Sequence, residues 1–409
     1  MDKFEILAPA GSLERLKTAI IYGADAVYAG GEEFSLRAAA KNFSKDDLLR
    51  GVDFVRKHGK KIYITANIIP HNKDMDEFPR FLEEMEKLRP DGLIISDLGA
   101  FMAAKKYAPS VPIHVSTQAN NVNYMTVNSW HELGAERVVL GRELSFAEIK
   151  EIRERTPETL ELEAFVHGAM CISYSGRCLL SNYMINRDAN NGECAHPCRW
   201  KYSLVEEQRP GEFMDVFENE RGTYIFNSKD LCMIEYIPEL VKSGIMSFKI
   251  EGRVKTEYYV ATVVKTYREA LDTYLENPDK YEFKQEWMDE LLKVSNRHYT
   301  TGFFLGKPST DAQVYTSSAY IRNYNVCAVV IGYDEETGET ILEQRNKFSL
   351  GDEVEIIMPK EKFISHVVTK MKNEEGEEIE SAPHARQIIK INFGRKLPEM
   401  SMMRKRRED

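Results

Sequence analysis

Seven short β-rich runs alternate with longer amphipathic stretches over the first 165 residues, and this alternation is the tightest constraint on the fold. The runs are FEILA (4–8), AVYAG (26–30), KIYITAN (61–67), GLIIS (92–96), PIHVST (112–117), RVVLG (137–141) and LELEAFV (160–166). Helical patterns lie between them at 13–22, 45–58, 75–88, 98–107, 125–133 and 145–155. Ser44 followed by Asp47, and Ser145 followed by Glu148, read as N-terminal caps. Strand–helix alternation of this kind makes a parallel sheet. The strands are apolar runs more than alternating ones, which suits cover on both faces. An eighth strand is available at SFKIEG (247–252), followed by an amphipathic stretch from Glu257 to Leu275. Eight strand–helix units imply an α/β fold with a (β/α)8 TIM-like barrel over about 1–300. A doubly wound sheet is the alternative, but no G-x-G-x-x-G opens any of the helices.

Between strands seven and eight the pattern breaks. Residues 168–232 are rich in Gly, Asn, Cys and Arg and lack a long helical period. In a barrel this insertion leaves the C-terminal end of strand seven, the face where active sites sit. It holds five of the six cysteines: Cys171, Cys178, Cys194, Cys198 and Cys232. Structural zinc prefers pairs two to four residues apart, and Cys-x6-Cys is wide for that. Thiolates from separated turns fit a 4Fe–4S cluster, which leaves more freedom in spacing. Zinc, and a set of buried thiols acting as small hydrophobes, remain the alternatives. Cys327 lies in a later β-rich run and reads as core packing.

Residues 311–394 read as strand, turn, strand, and predict a small all-β barrel domain. The tail, 395–409, carries six basic residues against three acidic ones, with Arg404 to Arg407 in a row. The whole chain has 409 residues and a net charge of −10, which argues against coating nucleic acid through bulk charge. No run of 18 apolar residues exists, so no transmembrane helix or membrane association is expected, and cytoplasm is the default.

Strand ends supply the other candidates. Glu163, Phe165 and His167 share one face of strand seven by the two-residue period. Arg142 and Glu143 end strand six, and Glu251 and Arg253 end strand eight. They could anchor a small dicarboxylic acid with arginine forks, or pair with each other as rim salt bridges. Ser116, Thr117, Gln118 and Asn120 follow strand five. The expected catalytic groups are Glu163, His167 and Glu251, and the expected substrate contacts are Arg142, Arg253, Arg199 and Gln118. For RNA, Arg177, Arg187, Arg199 and Lys201 interleave with Tyr174, Tyr183, Trp200 and Tyr202. Such a mix can stack an unpaired base and neutralise phosphate. Trp200 reads better as packing within the insertion, and the Arg404–Arg407 run as a phosphate contact.

The run EAFVHGAMCISYSGRCLLS (163–181) closely resembles the signature of the U32 peptidase family, the collagenase-like proteins. Glu163, Phe165, Gly168, Cys171, Gly176, Cys178 and Ser181 occupy its positions. LAPAG (7–11), AVYAGG (26–31), NSKDLC (227–232), SFKIEGR (247–253) and the GxCxxxCRW element (192–200) also look like this family, so the resemblance covers almost the whole chain. It is closest to the branch that makes 5-hydroxyuridine at the wobble position of tRNA. That resemblance implies an iron–sulfur cluster, tRNA as substrate and prephenate as a small acid needed for the hydroxylation. Carried over by position, the family's cluster ligands fall on Cys171, Cys178, Cys194 and Cys232, with Cys198 as a spare that could replace Cys194. The rival readings are a peptidase and a cluster-bearing subunit that needs a homologous partner. There is no H-E-x-x-H and no G-x-S-x-G, and His167 with Cys171 is a weak nucleophile–base pair.

Overall fold

The computed structural model describes residues 4–35, 43–171, 173–200, 203–204, 214–215, 228–307 and 320–407. Eight parallel strands close on themselves: β1 (Glu5–Ala10), β2 (Ala26–Gly30), β3 (Lys61–Ala66), β4 (Gly92–Ile95), β5 (Ile113–Val115), β6 (Arg137–Val139), β7 (Glu161–Gly168) and β8 (Ser247–Ile250). They pair in chain order, and β8 then pairs with both β1 and β7. Closure is the signature of the barrel; a doubly wound sheet would leave two open edges. The helices α1 (Leu13–Ile21), α2 (Lys45–Lys57), α3 (Asn72–Leu88), α4 (Leu98–Tyr107), α5 (Tyr124–Glu132) and α6 (Phe146–Glu154) follow the first six strands. Capping fixes where several begin. Ser44 Oγ accepts from the Asp47 amide, and Ser145 and Glu148 cap each other. The insertion after β7 holds the short helix α7 (Leu180–Ile185), and α8 (Ile237–Lys242) leads into β8. After β8, α9 (Glu257–Glu276) buries Val260, Val263, Val264, Tyr267 and Leu271 on the outer barrel wall. Each such side chain contributes about 1.5–3 kcal/mol. A last helix, α10 (Gln285–Leu292), packs on α9.

Charge fills the barrel interior. Arg137 is buried and donates to Glu5 Oε1 (2.7 Å), Glu161 Oε2 (2.6 Å) and Glu163 Oε2 (3.0 Å). Tyr63 Oη and Ser247 Oγ donate to the two oxygens of Glu5 (2.6 and 2.8 Å). Lys249 closes the network on Glu163 Oε1 (2.7 Å). Burial raises the Glu5 carboxyl, but the Arg137 charge and three hydrogen bonds outweigh it and leave the group below the usual carboxylate range. A buried network of this kind holds because nearly every lone pair is used.

The C-terminal domain is all-β, as expected, but its sheet forms an open half-barrel. Six antiparallel strands run in the order Ile364–Val367, Glu353–Ile357, Met402–Arg406, Tyr324–Asp334, Glu339–Gln344, Ile388–Ile391. Cys327 is buried in its core. The expectation of a separate basic tail fails here. Met402–Arg406 is an interior strand of the sheet, and Arg404 is 0% exposed. Alternating Met-Met-Arg-Lys-Arg carries no apolar period, because Arg404 is buried by pairing with Glu290, Glu355 and Tyr258 rather than by apolar contact. Lys405 pairs with Asp352, and only Arg406 and Arg407 of the basic run are exposed.

Candidate functional site

A cavity of about 770 Å3 opens where the strands end at their C-termini. One wall comes from the insertion and carries Cys171, Cys178, Cys194 and Cys198. The strand ends supply most of the opposing cations. Arg142, Arg187, Lys249, Arg253, Lys255 and Arg297 line the cavity against two carboxylates, Glu143 and Glu251. In a chain of net charge −10, that local excess marks a site for an anion.

The rim arginines are held in defined poses. Arg142 donates to the Ala169 carbonyl (2.7 Å) and to Glu251 Oε2 (3.2 Å), and lies 3.7 Å from the centre of the Phe165 ring. Arg253 reaches Ser35 Oγ (2.7 Å) and Thr65 Oγ1 (3.0 Å). Its guanidinium crosses the end of β2 at Gly30, where a Cβ would lie 2.6 Å from it. Gly168 plays the same part at the end of β7. Its φ is +107°, and a Cβ there would approach the Glu251 carbonyl to 2.5 Å. Both readings of the rim thus meet: Arg142 and Glu251 form a salt bridge, and that salt bridge lines the cavity. Glu143 is engaged by the amide and hydroxyl of Ser175, so it braces the insertion. Gln118 lines the cavity too, accepting from Arg177 through its carbonyl (2.7 Å).

Three expected site residues stand elsewhere. Glu163 is fully buried, does not line the cavity, and spends both oxygens on Arg137 and Lys249. His167 does not share the inward face of Glu163 and Phe165. The register between β7 and β8 slips after Phe165, and this bulge turns His167 outward. Its ring packs among Tyr259, Tyr267 and Tyr299, with Nδ1 3.5 Å from Tyr267 Oη. It therefore forms no pair with Cys171. Cys232 lies in a short strand, Asp230–Cys232, antiparallel to the end of β7, with its sulfur 3.9 Å from Tyr267 Oη rather than on the cysteine wall. Burial pushes that thiol up to about 12.

On the wall, Cys171 is exposed, Cys178 is buried, and Cys194 and Cys198 are half-buried. Cys194 Sγ also lies 4.0 Å from His196 Nδ1. Among the described residues, no three metal-ligating side chains converge at binding distance. Trp200 is 41% exposed and Tyr174 54% exposed, so each shows part of its ring to solvent. The side chains of Tyr183 and Arg199, and all of Lys201 and Tyr202, lie outside the described residues. Sequence reasoning missed Lys249, Lys255 and Arg297. The signal for Lys249 was available: a lysine between Phe248 and Ile250 in a strand otherwise buried.

The outward His167 has a measurable consequence. Burial, then the charge of Lys255, lowers its imidazole to about 3. Unfolded, it titrates near 6.5. Between those values only the unfolded chain binds the proton, so stability is full above 6.5 and falls as pH falls. At pH 5 this group should cost about 2 kcal/mol. Urea unfolding of wild type and His167→Phe at pH 7 and pH 5 checks it. The variant should lose less stability on acidification, and equal losses would refute the assignment.

Two family models match the chain: peptidase family U32 over residues 11–314, and the peptidase family U32 C-terminal domain over 322–404. The tRNA hydroxylation protein P1 of Bacillus subtilis (strain 168) is 42% identical over 403 residues, covering 98% of this chain and 95% of its own. The tRNA hydroxylation protein P of Escherichia coli (strain K12) is 39% identical, covering 94% and 92%. A collagenase of Porphyromonas gingivalis is 33% identical, covering 88% and 87%. With its barrel and its half-barrel both matched, the chain belongs to peptidase family U32.

Proposed function

We propose that this chain hydroxylates the wobble uridine of tRNA to 5-hydroxyuridine, with a 4Fe–4S cluster on the cysteine wall and prephenate in the cation-lined cavity. One observation carries the reading. Four thiols and six cations line one cavity, in a chain similar end to end to proteins named for tRNA hydroxylation. The four thiols that line the cavity, Cys171, Cys178, Cys194 and Cys198, are the donor type such a cluster takes. Cys171, Cys178 and Cys194 supply three ligands. Position on the wall supports Cys198 as the fourth, against the Cys232 that the family resemblance implies. When bound, the cluster supplies one-electron redox chemistry.

The protein's own residues do the rest. Arg142 and Arg253 hold the acid by charge-assisted hydrogen bonds. Tyr174 and Trp200, exposed on the insertion, offer stacking faces for an unpaired base, and Arg187 a contact for its phosphate. No helix among the described residues is long and apolar enough to cross a membrane. Deleting the gene should remove 5-hydroxyuridine and its derivatives from tRNA. Mass spectrometry of total tRNA nucleosides reads the result, and unchanged levels in a strain with no second homologue would end this reading.

A further inference from the structure

Lys249 projects from β8 into the barrel, with Leu7 of β1 and Phe165 of β7 as its ladder neighbours. It is 4% exposed, yet it lines the cavity floor. Its ammonium donates to Glu163 Oε1 at 2.7 Å and stands 4.6 Å from the centre of the Tyr28 ring and 5.3 Å from that of Phe165. One hydrogen bond uses one of three N–H donors. A buried ammonium gains from further acceptors, and the rings supply only their faces. Both oxygens of Glu163 are taken, one by Lys249 and one by Arg137.

A second observation points the same way. Phe165 is approached by two cations, Lys249 and Arg142, whose charge centres lie 5.3 and 3.7 Å from its ring centre. Both cations line the same cavity, so an anion bound there meets the two together. We infer that Lys249 binds an anionic oxygen of the small carboxylic acid, and that Glu163, acting through it, is a positioning residue. The inference rests on the small-acid reading of the same cavity. It gives Glu163 a role that its burial forbids it to play directly.

Calorimetric titration of the purified full-length chain with prephenate, and with succinate as a second dicarboxylate, tests it. Lys249→Met should weaken binding roughly ten- to hundred-fold, the effect of losing a charged hydrogen bond. Lys249→Gln should show the same loss and serves if the methionine disturbs the barrel. Lys249→Arg should recover part of the affinity, and Glu163→Gln should weaken binding less than Lys249→Met. Lys150→Met, at an exposed helix position, should change nothing. Wild-type affinity in the folded Met and Gln variants would overturn the inference, as would a wild type that binds neither acid. The tRNA nucleoside assay stays independent: its failure ends the functional reading, while the titration still decides Lys249.

Discussion

Replacing Arg404 by methionine should destabilise the chain by about 3–5 kcal/mol, the usual cost of removing one partner from a buried charge network. Arg404 Nε and Nη2 hold Glu355 Oε2 at 2.8 and 2.6 Å, and Nη2 holds both oxygens of Glu290 at 2.8 Å. Nη1 donates to Tyr258 Oη at 3.1 Å. Tyr258 and Glu290 belong to the barrel's α9 and α10, whereas Glu355 belongs to the C-terminal sheet. One side chain therefore pins the two domains together. Lys293 still reaches both carboxylates (2.8 and 2.9 Å), which places the loss toward the lower end of the range. Calorimetry or urea unfolding should show a lower midpoint for Arg404→Met, and a change within about 0.5 kcal/mol for the exposed Arg407→Met. Equal midpoints for wild type and Arg404→Met would refute it.

The same contact predicts a pH signature. Burial raises the Glu355 carboxyl, but hydrogen bonds from Lys293 and the charge of Arg404 outweigh it and hold the group below its usual range. A depressed carboxylate stabilises the fold above its unfolded value and loses that contribution as pH falls. The gap between wild type and Arg404→Met should therefore shrink below about pH 4.5. Truncation at 404 removes most of an interior strand, so a loss of tRNA binding in that truncation would report unfolding rather than phosphate contact.

The parts of the molecule legible in its sequence are those that depend on local pattern. Apolar strand runs and capped helices gave the barrel, because period and capping act within a few residues. Three side chains escaped because their environment comes from distant chain. Glu163 lies on the inward face that its period implies, but only Arg137 and Lys249, 26 and 86 residues away, make it a counter-ion. His167 obeys the same period until a bulge, and nothing in LEAFVHG announces one. Arg404 looks like part of a solvated run because the two carboxylates that bury it are 114 and 49 residues distant. The cavity itself was legible in outline: Arg142, Gln118, Glu251 and Arg253 reach it from the ends of β5, β6 and β8, where barrel chemistry gathers. Clustering of the cysteines was also plain. Which thiols share a wall was not, since Cys198 and Cys232 differ in the direction their elements face rather than in spacing.

That difference sets the sharpest test of the cluster proposal. Anaerobically isolated protein should be brown and carry about four irons with matching sulfide. Cys171→Ala, Cys178→Ala and Cys194→Ala should each abolish the colour and most of the iron, because a cubane held by too few thiolates is lost on isolation. Cys198→Ala should do the same. Cys232→Ala should keep its iron, since that thiol sits against Tyr267 and does not line the cavity. Its cost should be one of packing alone, seen as a lower unfolding midpoint. The opposite pattern, iron lost with Cys232→Ala and kept with Cys198→Ala, would return Cys232 to the ligand set and require its short strand to turn toward the wall. Stoichiometric zinc without iron in the wild type would end the iron–sulfur proposal. Iron and sulfide analysis beside absorption spectra separates these outcomes, because each variant changes one sulfur and leaves the cation-lined side of the cavity as it was.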